Sequence, residues 1–351
     1  MFGQQIEARP AGSWVVVDEV QRLPALLNEV QALLTERGSS YRFALSGSSA
    51  RKLKRADANL LAGRIINRSF FPLTAVELGL EFDLERILRF GLLPQVHAEP
   101  DFSIDILDAY VENYIREEIQ QEAVVRNLDS FSRFLEIAAL MNAQIVNVAG
   151  TARDAAAARP TVQGYFGALV DTLIGFWLPA WRKRVKVKEV ASAKFYFFDP
   201  GVARAVAGRV REPLERDERG FLLETWILHE LRAAMAFLDV GGRLWYWRTP
   251  AGSEVDFIWT RGTHAVGVEV KASVEWRSEH GASLKTLIAE GALEAGFGVY
   301  TGDRELKDGP IRVLPLRKFL ADLASGSVLT AGGSGSENDT DPEEVPPEAS
   351  L

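Results

Sequence analysis

Trp14-Val15-Val16-Val17-Asp18-Glu19-Val20-Gln21-Arg22-Leu23-Pro24 is the stretch that decides the fold. A short apolar run rich in β-branched valine reads as a strand, and its unbroken apolarity predicts burial on both faces, as in a parallel sheet. In open α/β sheets, ligands bind beyond the C-terminal ends of the strands. Asp18 and Glu19 would stand there side by side, one carboxylate suited to a metal ion and the other to orienting water. The plainer reading is a strand that ends in an acidic turn.

Outward from this strand, Leu23, Leu26, Leu27, Val30, Leu33 and Leu34 keep helical spacing, and Gly38 suits the end of that helix. Tyr41-Arg-Phe-Ala-Leu-Ser46-Gly-Ser48 is a second apolar strand ending in hydroxyls, and Ile65–Phe71 reads as a third. Leu60-Leu-Ala-Gly63-Arg64 lies just before it, and Phe71-Pro-Leu-Thr-Ala-Val-Glu77-Leu follows. Together these pieces resemble the bacterial and archaeal AAA-type ATPases that carry a C-terminal PD-(D/E)XK-like domain of unknown function, and the resemblance continues to about residue 325. It implies that Asp18 and Glu19 are Walker B carboxylates acting in catalysis. It also implies that Ser46 or Ser48 contacts the γ-phosphate or the attacking water, and that Arg64 senses phosphate. The alternatives are a hydroxyl-rich turn capping the next helix and a surface ion pair at Arg64.

A P-loop needs Gly-x-x-x-x-Gly-Lys-Ser/Thr, whose backbone N–H groups and lysine cradle the phosphates. Residues 1–351 contain no such pattern. The expectation is therefore a truncated P-loop-type parallel sheet over residues 1–80, which binds ATP only if the missing loop is supplied.

Residues 81–215 read as helical and then as a winged helix. Helices are expected at Phe131–Met141, Thr151–Ala158 and Thr161–Leu173, followed by a wing hairpin from Phe176 and Arg182–Val190 and a strand at Lys194–Asp199. Arg182-Lys183-Arg184-Val-Lys186-Val-Lys188 places five basic residues in seven. With Arg159, and with Arg153, Thr161 and Gln163 facing a groove, these would contact DNA phosphates in a salt-dependent, sequence-tolerant way. The plainer reading is a solvated edge whose lysines block aggregation.

Residues 216–325 carry the second constellation. Gly220–Leu231 reads as an amphipathic helix bearing Glu224. Leu244–Arg248, Gly252–Trp259 and Ala265–Ser273 read as strands. On the last, Val266, Val268 and Val270 share one face and Glu269 and Lys271 the other. Asp256-x12-Glu269-x-Lys271 with an upstream helical Glu224 fits a restriction-endonuclease-like α/β domain of the PD-(D/E)XK type. Asp256 and Glu269, assisted by Glu224, would hold Mg²⁺, and Lys271 would position water. Glu254 is an alternative ligand, and a structural Glu–Lys ion pair is the plain alternative to chemistry.

The composition is that of an ordinary globular protein: 47% apolar and 25% charged residues in 351. No cysteine is present, so disulfides and thiolate metal sites are excluded, and the four histidines have no metal-ligand spacing. Six of the acids behind the net charge of -8 lie in residues 331–351, within an acidic tail spanning 326–351 that is expected to be disordered. The rest carries about -2, which leaves a nucleic-acid partner open. Neither a membrane span nor a signal peptide is visible, so a cytoplasmic location is expected. No small-molecule substrate is indicated, and oligomer formation is left open. The expected function is that of an AAA-type ATPase-family protein with a nuclease-like C-terminal domain. The alternatives are an ATP-independent Mg²⁺-dependent DNA nuclease and a non-catalytic DNA-binding or protein-interaction module.

Overall fold

The computed structural model describes residues 6, 8–23, 25–47, 65–115, 127–182 and 192–329. The chain is mixed α/β and divides into two compact units, Met1–Arg68 with Phe166–Ile174, and Ser69–Tyr165 with Gly175–Leu351. No described helix is long and apolar enough to cross a membrane.

In the first unit, β1 (Trp14–Val17) pairs in parallel with β2 (Arg42–Leu45), joined through helix α1 (Ala25–Arg37). Valine favours the pleated strand, and the helical spacing of Leu27, Val30 and Leu34 turns one apolar face of α1 toward Val17, Val20, Phe43 and Leu45. The expectation that β1 is buried on both faces is corrected here. Trp14 is 62% exposed and Val16 72%, while Val17 on the alternate side packs with Leu27 and Val30 of α1. The strand expected at Ile65–Phe71 is also absent. These residues have no regular structure, and Phe70 is almost fully exposed.

The second unit begins with Ser69. Helices α2 (Leu84–Phe90), α3 (Pro94–Ala98) and α4 (Ser103–Ala109) lead to a π-helical turn at Tyr110–Ile115. Then follow α5 (Leu128–Leu140), β3 (Gln144–Ile145), α6 (Val148–Asp154), α7 (Arg159–Asp171), whose residues from Phe166 onward belong to the first unit, β4 (Gly175–Leu178) and β5 (Lys194–Phe197). The three strands make an antiparallel sheet in the order β3-β5-β4. Helix α8 (Pro200–Val206) starts where Asp199 accepts the Val202 N–H at 2.9 Å, with proline at the first turn.

Helix α9 (Arg216–Phe237) opens the six-stranded mixed sheet, whose order is β10-β11-β9-β8-β7-β6. Its strands are β6 (Arg243–Arg248), β7 (Glu254–Arg261), β8 (His264–Lys271), β9 (Ala295–Tyr300), β10 (Leu306–Asp308) and β11 (Ile311–Pro315). Helix α10 (Ala282–Ala289) lies between β8 and β9, and α11 (Leu316–Ala324) follows β11. Strands β8, β9 and β11 run parallel and the remaining pairs antiparallel. Trp226 of α9 and Phe319 of α11 share one core with Val266, Val268 and Val270, while Leu284 and Leu287 of α10 form another with Val255 and Ile258. The expected amphipathic helix is thus a core helix. Leu222, Leu223, Thr225–Leu231, Ala233 and Ala234 are buried, because Phe82 and the Leu73–Ala75 segment cover its outer side.

Candidate active site

The better-built cluster lies where β7 and β8 part. The hairpin turns at Gly262, which has φ 56°, a left-handed conformation that glycine adopts without strain. From there the strands pair from Arg261↔His264 to Phe257↔Val268. Past that pair the Asp256 side chain takes over, accepting the Val270 N–H at 2.8 Å. Asp256 is thereby locked and buried, facing the two polar residues of β8. Lys271 Nζ stands between the carboxylates, 2.6 Å from Glu269 Oε1 and 3.8 Å from Asp256 Oδ2. The other Glu269 oxygen is buried with no hydrogen-bond partner among the described residues.

Glu224 joins from α9. Its Oε2 accepts from the Tyr196 hydroxyl at 3.2 Å and lies 3.5 Å from Lys194 Nζ. Lys194 also sits 2.5 Å from Glu254 Oε1, and Arg248 holds the other Glu254 oxygen at 2.9 Å. A cleft of about 520 Å³ opens on this side, lined by Gln144, Lys194, Glu224, Arg248, Thr249 and Glu254 among others. Burial, and next the Asp256 charge, push Glu224 up to about 7, while Lys194 pulls it down. Glu269 is raised well above the carboxylate range by burial and by Asp256, against the pull of Lys271. Burial alone would depress Lys271, but Asp256 and Glu269 outweigh it and hold the ammonium above its ordinary value.

Lys271 thus meets both Asp256 and Glu269, and Glu224 reaches them through its field rather than by a hydrogen bond. Glu254 is engaged elsewhere, on Lys194 and Arg248. Carboxylate oxygens are the kind of donor that Mg²⁺ takes, and one Glu269 oxygen is left without a partner among the described residues. As the side chains stand, no three described His, Asp or Glu residues are grouped closely enough to hold a metal. Lys271 and Lys194 occupy the space between the carboxylates. Lys194 and Tyr196 escaped the reading of the sequence, although a lysine opening the aromatic strand Lys194-Phe-Tyr-Phe was a visible signal.

In the first unit, Asp18 and Ser46 meet. The Ser46 hydroxyl donates to Asp18 Oδ1, and the Glu19 N–H lies 3.2 Å from the same hydroxyl oxygen. The backbone continues the parallel ladder, with Ser46 N–H donating to Val17 O at 2.9 Å and Val20 N–H to Ser46 O at 3.0 Å. Glu19 has φ 53°, a left-handed turn that separates it from the line of the strand. Ser48 and Arg64 lie outside the described residues.

Of the nucleic-acid candidates, Arg159 at the start of α7 and Arg182 after β4 are exposed. Lys183, Arg184, Lys186 and Lys188 lie outside the described residues.

Residues 2–79 match the model of an AAA domain. Residues 81–212 and 219–319 match two models described as domains of unknown function, DUF8612 and DUF4143. Uncharacterized proteins of Mycobacterium bovis and Mycobacterium tuberculosis are each 26% identical over 321 residues, covering 91% of this chain and 70% of theirs.

Proposed function

We propose that this AAA-type, ATPase-like chain carries a Mg²⁺-dependent nuclease-like site in its second unit, formed by Asp256, Glu269 and Lys271 with Glu224. The observation that carries the reading is the buried Glu269 oxygen without a partner among the described residues, on a carboxylate whose other oxygen meets the lysine that also stands 3.8 Å from Asp256. A buried carboxylate oxygen without a partner is costly unless it has a use.

In this reading Asp256 and Glu269 would hold the ion, with Glu224 assisting from α9. When bound, Mg²⁺ supplies charge neutralisation at a phosphodiester and a more acidic water. Asp256 is oriented by the Val270 N–H before any ligand arrives. Lys271 keeps its proton and presents a positive charge to the phosphate. The middle region serves DNA. The order α5, β3, α6, α7, β4, β5 fits a winged helix, with Arg159 and Arg182 as phosphate contacts; Lys183, Arg184, Lys186 and Lys188 lie outside the described residues. Asp18, Glu19 and Ser46 are the Walker B and sensor side of a nucleotide site that requires a phosphate loop to bind ATP.

Purified protein with Mg²⁺ should cut DNA, and Glu269→Ala or Lys271→Ala should abolish cutting. Activity that persists in both variants would refute the assignment.

One observation favours a second reading, a non-catalytic DNA-binding or protein-interaction module. Lys194, Arg248 and Lys271 already compensate Glu224, Glu254 and Glu269 internally. On that reading the wild-type protein binds DNA and leaves it intact with Mg²⁺ present.

A further inference from the structure

Lys194, Arg204 and Lys271 each carry a counter-charge within the second unit: Lys194 has Glu224 and Glu254, Arg204 has Glu218, and Lys271 has Glu269 and Asp256. Arg232, in the last two turns of α9, has none. Its guanidinium lies 4.0 Å from the centre of the Phe176 ring and 5.7 Å from that of Phe71. Among the described residues it makes no hydrogen bond and no ion pair. Burial, with no carboxylate to oppose it, lowers its pKa to about 10. Both rings are themselves held in place: Phe176 stacks on Tyr196, and Phe71 meets Phe237 edge to face.

A cation partly stripped of water and left without a counter-ion costs stability in the isolated chain. A carboxylate arriving from outside would meet a charge already desolvated and oriented, whose N–H fork matches its two oxygens. The surface around it is apolar. Phe237 is 60% exposed, and Leu238 and Phe70 are exposed as well. Residues 69–82 and 233–242 contain no Lys or Arg, so Arg232 is the one cation that α9 from this point and the Phe71 segment supply. A phosphate backbone is followed by several positive charges in a row. One guanidinium beside exposed phenyl rings has instead the composition of the centre of a protein interface.

We propose that the C-terminal end of α9, with Phe71, is a protein-docking surface whose partner is an acidic–apolar peptide segment: one Asp or Glu carboxylate pairs with Arg232, and an apolar residue beside it covers Phe237 and Leu238. This does not depend on the nuclease-like reading. A purely structural arginine makes the opposite forecast for stability. If stacking on the rings is its purpose, Arg232→Met lowers the unfolding midpoint. If the charge is kept for a partner, the methionine fills the same space without an unpaired cation, and the midpoint stays or rises.

The test uses the full chain and two fluorescein-labelled, capped peptides, Ser-Leu-Glu-Phe-Leu-Ser and Ser-Leu-Gln-Phe-Leu-Ser, with affinity read by fluorescence anisotropy and folding by thermal unfolding. The wild type should bind the Glu peptide at least tenfold more tightly than the Gln peptide. Arg232→Met should abolish that preference at an unchanged or higher midpoint, and Arg232→Lys should keep part of it. Phe237→Ser should weaken both peptides. Equal affinity for the two peptides, binding of neither, or a preference that survives in Arg232→Met overturns the proposal. So does a concentration-dependent dimer that Phe237→Ser dissolves, which would make a second copy the occupant. If Arg232→Met does not fold, stacking is the purpose of the arginine and the proposal falls.

Discussion

Glu230 shows how a single buried acid sets the pH response of the fold. It accepts the Ala75 N–H at 2.7 Å and the Trp226 indole N–H at 2.9 Å, both on Oε1. Burial, more than these donors can offset, raises it to about 7. A carboxyl whose folded pKa lies above its unfolded value contributes stability below about pH 4.5, and that contribution is lost as the pH rises through 7. Glu230→Gln keeps a carbonyl oxygen for both donors and removes the ionisation. The variant should match the wild type near pH 5 and be more stable at pH 8 by on the order of 1–3 kcal/mol. Urea unfolding at the two pH values measures this. His229 beside it is depressed to about 4 by burial. Its neutral form contributes stability that is lost as pH falls from about 6.5 toward 4, and the comparison with Glu230→Gln cancels that contribution.

At the scale of the element, the parting of β7 and β8 depends on Asp256 replacing a backbone partner. Asp256→Ala leaves the buried Val270 N–H without an acceptor, which costs about 1–3 kcal/mol. Asp256→Asn keeps an acceptor and should cost less than half as much, while both variants lose Mg²⁺-dependent cutting. Equal destabilisation in chemical denaturation would contradict the capping role. The period-2 alternation of β8 made Glu269 and Lys271 legible as one face, and the x12 spacing made Asp256 their neighbour. The exposed face of β1 was not legible, because a run of valines does not say which side its helix covers. Ile65–Phe71 has strand-like residues too, but β-propensity is a statement about packing, and Ile66 and Phe70 are among its exposed side chains.

For the whole molecule, what escaped the sequence is what depends on long-range closure. Lys194 meets Glu224 and Glu254 across 30 and 60 positions, and Tyr196 meets Glu224 across 28. No local period links them, so the site reads from sequence as self-contained in the last third of the chain, whereas the structure joins it to β5. The basic segment after β4 belongs to the same scale. Each phosphate contact contributes about 0.9 to the slope of log affinity against log salt, so Arg182→Ala should flatten DNA binding by about one unit. An unchanged slope would remove Arg182 from the contact surface.

On the proposed function, the carboxylates and lysine at the β7–β8 fork form a metal-dependent site for phosphodiester cleavage. Single-turnover cutting of end-labelled duplex DNA by the purified chain, titrated with Mg²⁺ and run beside Glu269→Gln and a chelator control, tests it. Saturable Mg²⁺-dependent cutting is expected of the wild type, and none of the variant or with chelator. Intact DNA at every Mg²⁺ concentration, or equal cutting by Glu269→Gln, would overturn it.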